Sequence, residues 1–62
     1  MKFQEIDGVR TLVKKDYTPT GSVGTIVCAF TNPNEAYMVE FANEYGETLD
    51  LPIYLPEELE RV

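Results

Sequence analysis

The chain has 62 residues, 44% of them hydrophobic, and a formal net charge of −6. This apolar content is too high for a disordered segment, and the length allows one domain, residues 1–62, that buries only about 60% of its unfolded surface. Because the chain has no histidine and a single cysteine, Cys28, His-based catalysis, thiolate zinc sites and an internal disulfide are excluded.

The first half of the chain predicts two β-strands joined by a loop. β-branched residues dominate residues 9–13, and residues 23–30 form the most apolar run of the sequence, as strands with a buried face require. We expect Cys28 to pack in the core with the second strand and to be unreactive there. Residues 16–22 contain Pro and Gly, which predict a loop that carries Tyr17.

A third strand is predicted after an Asn- and Pro-containing turn at residues 31–35, since both residue types favour turns. Residues 36–41 alternate cleanly in polarity. Side chains alternate between the two faces of a strand. We therefore expect Tyr37, Val39 and Phe41 to share the core side.

The following segment predicts a β-hairpin. Residues 44–46 form a three-residue loop that ends in a glycine, which supplies the positive φ of the bulge position. Counting outward from this loop pairs Phe41 with Leu49 and Val39 with Leu51. This register keeps the apolar residues of both strands on the core side, and a slip by one residue would reverse that.

The same register places Glu40 opposite Asp50 on the outer face of the hairpin, where like charges repel by up to about 1 kcal/mol. Residues 32–62 carry eight acidic residues and one basic residue, and such a surface attracts a basic protein. Alternatively, the carboxylates are solvated or lie beside a base of a neighbouring strand: Lys2, Arg10 or Lys14. Exposed tyrosines often anchor interfaces, so the predicted partner-binding residues are Tyr17, Glu40, Glu44, Tyr45, Glu47 and Asp50.

The C-terminal residues predict an edge strand followed by a short helical turn. Pro52 cannot donate to a ladder, which places it at an edge, and Pro56 suits the first position of a helical turn. We expect Leu59 to fold back as a plug. The predicted fold is all-β, a small five-stranded SH3-like barrel with a short 3-10 helical turn near the C-terminus.

No catalytic or metal-binding motif is present in the sequence. Paired carboxylates can act as acid and base or bind Ca²⁺, but their spacing matches no calcium loop. Gly21 and Gly24 lack the Lys-Ser/Thr of a phosphate loop and indicate a tight turn. No apolar run reaches the roughly 18 residues of a spanning helix. We expect a cytoplasmic protein that is not an enzyme, uses no cofactor and binds neither nucleic acid nor membrane.

Four segments together resemble one family: residues 21–27 (GSVGTIV), 37–41 (YMVEF), 46–49 (GETL) and 55–59 (LPEEL). They resemble the short stand-alone bacterial proteins called domain of unknown function 4926. The resemblance implies an SH3-like barrel without catalytic residues. Because members look like partners of toxin-type genes, it also implies an antitoxin or immunity role by association.

Three functional hypotheses follow. The first is an immunity or antitoxin protein whose acidic hairpin occupies a basic cleft of a partner toxin as a phosphate mimic. The alternative is an adaptor or regulatory subunit that docks on a larger enzyme or transcription complex through Tyr17 and Tyr45. The third is RNA binding, since Gly21-x-x-Gly24-x-Ile26 is similar to the KOW motif, but RNA binding requires a basic surface.

Overall fold

The computed structural model describes residues 2–15 and 17–62, so the prediction that Asp16 belongs to the first loop lies outside the described residues. The described chain is all-β, with six short strands and one 3-10 turn. The elements are β1 (Gly8–Thr11), β2 (Val23–Phe30), β3 (Ala36–Ala42), β4 (Thr48–Asp50), β5 (Ile53–Tyr54), the 3-10 turn (Pro56–Glu58) and β6 (Leu59–Arg61). Among these residues, no helix is long and apolar enough to cross a bilayer.

The strands form one antiparallel sheet in the order β4-β3-β2-β1-β6, and β5 also pairs with β3. Strands β4 and β5 follow one another along the same edge of β3, since β2 occupies the other edge. Between them, the Val39 N–H donates to the Pro52 carbonyl oxygen at 3.0 Å. Within the described residues no ladder joins β4 to β6, so this sheet is not closed.

The C-terminal segment contains one strand more than the five that were predicted. The helical turn begins at Pro56 as expected, and Leu59 is buried as expected. Instead of ending the chain as a plug, however, Leu59 opens β6 and pairs with Thr11 of β1. Three residues are too few to give a periodic signal in the sequence, which explains why β6 was not predicted.

One hydrophobic core lies on the inner face of the sheet. Tyr37, Val39 and Phe41 all lie there, which confirms the predicted core side of β3. The aromatic rings meet edge to face, with centroids 5.3 Å apart for Phe3 and Tyr37, a favourable arrangement for their quadrupoles. The complete buried cluster is Phe3, Val9, Ile26, Tyr37, Val39, Phe41, Tyr54 and Leu59.

Cys28 is half-buried on the outer face of the sheet, so the prediction that it packs in the core is wrong. Ile26 pairs with Val39 on the inner face, but the next pair joins Cys28 to Met38. Val27 is therefore the extra residue of a β-bulge, and a bulge re-aims the side chains that follow it. Met38 alternates with inward-facing neighbours on β3, which places Cys28 on the outer side with it.

The two glycines before and within β2 have separate roles. Gly21 has a φ of +89°, a conformation that glycine adopts without a steric cost. Gly24 allows a close approach of β2 to β3, because a Cβ atom there would lie 2.6 Å from the Glu40 carbonyl oxygen and 2.9 Å from Phe41 Cδ1. The Gly21-x-x-Gly24 pattern is thus accounted for by a turn and a close strand contact.

Candidate functional site

The predicted loop of the β3-β4 hairpin is confirmed. The Asn43 N–H donates to the Glu47 carbonyl oxygen and the Gly46 N–H to the Asn43 carbonyl oxygen, both at 3.0 Å. Gly46 has the expected positive φ, +81°. The Asn43 side-chain oxygen accepts from the N–H groups of Tyr45 at 2.9 Å and Glu47 at 3.0 Å. These bonds fix the tip and present Tyr45 to solvent.

Beyond this loop the predicted register of the hairpin is wrong by one residue. Ala42 pairs with Thr48, as expected, but Phe41 pairs with Asp50 instead of Leu49. Leu49 is therefore the extra residue of a second β-bulge. The change of register moves every residue after Leu49 by one position relative to β3, which reverses the face of each side chain.

The bulge decides which residues of the C-terminal edge are buried. Tyr54 becomes fully buried, with its ring centroid 6.2 Å from that of Phe41. Leu51 and Ile53 turn outward and are exposed, so the predicted pairing of Val39 with Leu51 is wrong. An aromatic ring buries about 150–250 Å², and this gain is the physical reason that the register favours Tyr54 over the two aliphatic residues.

Glu40 and Asp50 consequently lie on opposite faces, and their predicted pairing on the outer face is wrong. Glu40 faces outward and accepts a hydrogen bond from the Thr48 hydroxyl. Asp50 lies on the inner side, opposite the buried Phe41. There its Oδ2 accepts a hydrogen bond from the Thr18 hydroxyl at 2.9 Å, which satisfies a carboxylate oxygen that burial would otherwise penalise.

Asp50 and Tyr17 line the same cleft, which lies between the first loop and the β3-β4 hairpin. We call this cleft of about 320 Å³ the loop-hairpin cleft. Its exposed apolar residues are Tyr17 (92% exposed), Leu49 (66%) and Val23 (56%). Sequence reasoning missed Leu49 and Val23, because both were assigned to strands with a buried face. A register chosen to bury Tyr54 would have exposed Leu49.

The other predicted partner-binding residues are distributed around the hairpin. Glu44 and Tyr45 lie at the exposed tip, and Glu47 follows them with its Oε1 accepting a hydrogen bond from Asn43 Nδ2 at 2.9 Å. Glu40 is not among the residues that line the loop-hairpin cleft. The structure therefore brings Tyr17 and Asp50 together in the cleft, places Glu44, Tyr45 and Glu47 at the tip, and leaves Glu40 outside the cleft, beside Thr48.

The hairpin carboxylates are not neutralised by bases of the described chain. Ion pairs of residues 2–15 and 17–62 join Arg10 to Glu60 at 3.0 Å, Lys15 to Glu58 at 3.5 Å and Arg61 to Asp7 at 3.1 Å. None of these pairs includes a carboxylate of the hairpin. The hairpin carboxylates therefore meet an approaching molecule without a paired base from these residues.

A separate polar cluster holds the N-terminal segment against β3. Glu35 accepts hydrogen bonds from the Lys2 N–H at 2.9 Å and from the Tyr37 hydroxyl, whose oxygen accepts from the Phe3 N–H at 3.0 Å. The Tyr37 hydroxyl is the main cause that lowers the pKa of Glu35 below its usual 4.5. Burial, followed by the bond to Glu35, raises the pKa of Tyr37 above 10.0. Structural hydrogen bonds explain the lowered pKa of Glu35, and burial together with a hydrogen bond explains the raised pKa of Tyr37.

A second apolar surface lies on the outer face of the sheet. Met38 pairs with Cys28 on one side and with Ile53 on the other, and a shallow cavity of about 260 Å³ beside them is lined by Phe30, Pro33 and Leu55 among others. Among the described residues, none that lines this cavity is charged. Across the described part of the chain, no three Cys, Asp or Glu side chains are grouped closely enough to hold a metal ion.

Comparison with curated proteins and with solved structures gave no match. The sequence model of one family, described as Domain of unknown function (DUF4926), matches residues 9–61. This match extends over most of the chain and includes all six strands except the first residue of β1. It confirms the resemblance that the sequence motifs indicated. The chain therefore belongs to the family described as Domain of unknown function (DUF4926).

Proposed function

We propose that this chain is a non-catalytic protein-binding module that recognises a basic partner and acts as an immunity or antitoxin protein toward a toxin. The observation that carries the proposal is the charge of the hairpin: Glu44, Glu47 and Asp50 are absent from every ion pair of the described residues. A concentrated field of one sign accelerates association with a surface of the opposite sign. Toxins that act on nucleic acid offer such a surface.

A second candidate function is an adaptor or regulatory subunit that docks on a larger enzyme or transcription complex. The exposure of Tyr17 and Tyr45 favours it, since exposed aromatic rings are frequent interface anchors. The two functions differ in their response to salt. Screening weakens an interface that depends on carboxylates at the surface, but an aromatic interface persists at high ionic strength.

The proposal has a structural and a cellular part as well. We assign the sheet to the SH3-like barrel class, supported by the two bulges, which increase strand twist and bend, and by the 3-10 turn between β5 and β6. We place the protein in the cytoplasm, supported by a single cysteine in a small domain without disulfides.

The test is affinity capture from the native cell's lysate with matched baits. The baits are the wild type, the double variant Glu44→Gln/Glu47→Gln, and the control Glu5→Gln/Glu57→Gln, which removes the same charge from exposed sites outside the hairpin. We expect a basic protein that the wild type and the control retain and that the hairpin variant loses. An immunity role further requires that this protein be toxic when expressed alone and harmless when expressed with the chain.

Two results would contradict the proposal. If the hairpin variant and the control retain the partner equally, the hairpin charge has no role in recognition. If the partner stays bound at about 0.5 M NaCl, where the Debye length is near 4 Å, the adaptor function is the better account.

A further inference from the structure

We propose that the loop-hairpin cleft is the docking site, and that its occupant is a protein segment that presents a Lys or Arg side chain beside an apolar one. The inference rests on the proposed function, because it specifies where the basic partner binds. It also departs from the expectation that Glu40 and Asp50 make the contact together from the outer face of the hairpin, since Glu40 is not among the residues that line this cleft.

The apolar part of the site comes from residues that the fold itself leaves unburied. The bulge pushes Leu49 out of the β3-β4 ladder and into the wall of the cleft. Val23 and Tyr17 line the same cleft and are also largely exposed. Large apolar side chains that converge on a concave surface gain free energy when another apolar group covers them. The walls therefore fit an aliphatic or aromatic side chain of the occupant.

The polar part of the site is the Asp50 carboxylate. Its Oδ2 accepts from the Thr18 hydroxyl at 2.9 Å, and its Oδ1 accepts from the Leu51 N–H at 3.0 Å. A carboxylate offers about four lone-pair positions, so each oxygen retains the capacity to accept one more hydrogen bond. Asp50 takes part in no ion pair of the described residues. A Lys or Arg side chain of the occupant would therefore supply a positive charge to pair with the Asp50 carboxylate, through a charge-assisted hydrogen bond.

Other occupants fit the cleft less well. Phosphate groups of a nucleic acid would meet the carboxylates of Asp50 and the nearby hairpin, which repel them. A metal ion would find no group of three acidic or cysteine ligands among the described residues. A second copy of this chain has only five basic residues against eleven acidic ones, and Arg10, Lys15 and Arg61 are already paired. The charges therefore favour a different, basic protein.

The test is an NMR titration of the full ¹⁵N-labelled chain with a probe peptide, acetyl-Leu-Arg-Leu-Arg-Leu-amide. We expect the largest shifts at the amides of Thr18, Val23, Leu49 and Asp50. A matched peptide with Gln in place of Arg should bind about tenfold more weakly, because it lacks the charge-assisted hydrogen bond.

Variants of the chain separate the site from the rest of the surface. Asp50→Asn should weaken the binding of the Arg peptide about tenfold. The variant keeps a side-chain oxygen that accepts from the Thr18 hydroxyl, so the fold is retained. Tyr17→Ser should also weaken the binding of the Arg peptide. The Tyr17 side chain is too exposed to be needed for folding. The control Ile53→Ser changes the second apolar surface and should leave the affinity unchanged.

The outcomes distinguish failure of the site from failure of the function. The loop-hairpin cleft is not the site if the Arg peptide shifts only the amide signals of the hairpin tip and of Glu40, or if Asp50→Asn binds the peptide as tightly as the wild type does. A basic partner would then remain the proposed ligand. If the Arg and Gln peptides bind equally, or neither binds, both the cleft assignment and the basic-partner function are overturned.

Discussion

At the scale of the residue, Ile6 has a backbone conformation that is unfavourable for a β-branched side chain. It has a φ of +77°, although its side chain is 81% exposed. Its N–H donates to the Ile26 carbonyl oxygen at 2.7 Å, which fixes the turn before β1 against β2. Left-handed backbone costs an L-residue about 1–2 kcal/mol, and a β-branched residue adopts it rarely.

We predict that Ile6→Asn raises the free energy of unfolding by about 0.5–1 kcal/mol, since Asn tolerates this conformation and little apolar contact is lost. Urea unfolding of the variant and the wild type measures the change. The control is Ile53→Asn, the same substitution at an exposed position in β5 with ordinary strand backbone; it should not stabilise the chain. Equal effects of the two substitutions would mean that the backbone of Ile6 is not the cause.

The hydrogen bonds on Glu35 predict a pH dependence of stability. The Tyr37 hydroxyl, and then the Lys2 N–H, lower the pKa of Glu35 in the folded state below its usual 4.5. Such a carboxyl adds stability above its unfolded pKa, and this contribution is lost as the pH falls through the folded pKa. The free energy of unfolding should therefore decrease with acid below pH 4.5.

Glu35→Gln should flatten this decrease, because the variant has no proton to gain at that position. Urea unfolding between about pH 7 and pH 3 gives the slope for each chain. Some dependence should remain, since the Gln4 N–H and then Arg61 lower the pKa of Asp7 below its usual 3.8. The matched control is Glu57→Gln, at an exposed site outside this cluster. An unchanged slope in Glu35→Gln would show that the cluster does not stabilise the fold.

At the scale of the element, the bulge at Leu49 sets the register of everything that follows. Deletion of Leu49 should preserve the pairing of Phe41 with Asp50 and the burial of Tyr54, because only the unpaired residue is removed. Deletion of Leu51 should turn Tyr54 outward, since it shifts the later residues by one. Loss of a buried aromatic ring costs about 3–5 kcal/mol, which is comparable to the whole stability of so small a domain.

Circular dichroism and urea unfolding compare the two deletions, which remove the same residue type from neighbouring positions. We expect the chain without Leu49 to fold and the chain without Leu51 to be unfolded or nearly so. If both deletions are tolerated equally, an interaction other than the burial of Tyr54 determines the register of the edge strand.

The hairpin also shows how far the sequence can predict this fold and site. A continuous apolar run was sufficient to predict β2, period-two alternation predicted β3 and the core side of Tyr37, and the Gly46 loop followed from turn chemistry. The bulges at Val27 and Leu49 were not predictable from alternation, because each depends on contacts with other strands. These bulges reversed the faces of Cys28 and Asp50. That Tyr17 and Asp50 line one cleft follows only from the observed register.

At the scale of the whole molecule, the net charge of −6 acts on folding and on recognition in opposite directions. Repulsion among the unpaired hairpin carboxylates destabilises the compact chain. Added salt screens that repulsion, since the Debye length falls from about 10 Å at 0.1 M to about 3 Å at 1 M. The exposed ion pair of Arg10 with Glu60 is also screened, but pairs of this kind contribute little.

We therefore predict that NaCl raises the thermal unfolding temperature at neutral pH and weakens the binding of a basic partner over the same range, about 0.05 to 0.5 M. Glu44→Gln/Glu47→Gln should reduce both effects, whereas Glu5→Gln/Glu57→Gln should reduce neither to the same extent. Thermal unfolding and partner titration at matched salt concentrations measure the two responses. Because a general effect of salt on protein solubility would move both variants alike, only a difference between them assigns the charge effect to the hairpin. Equal responses would place the repulsion elsewhere on the acidic surface.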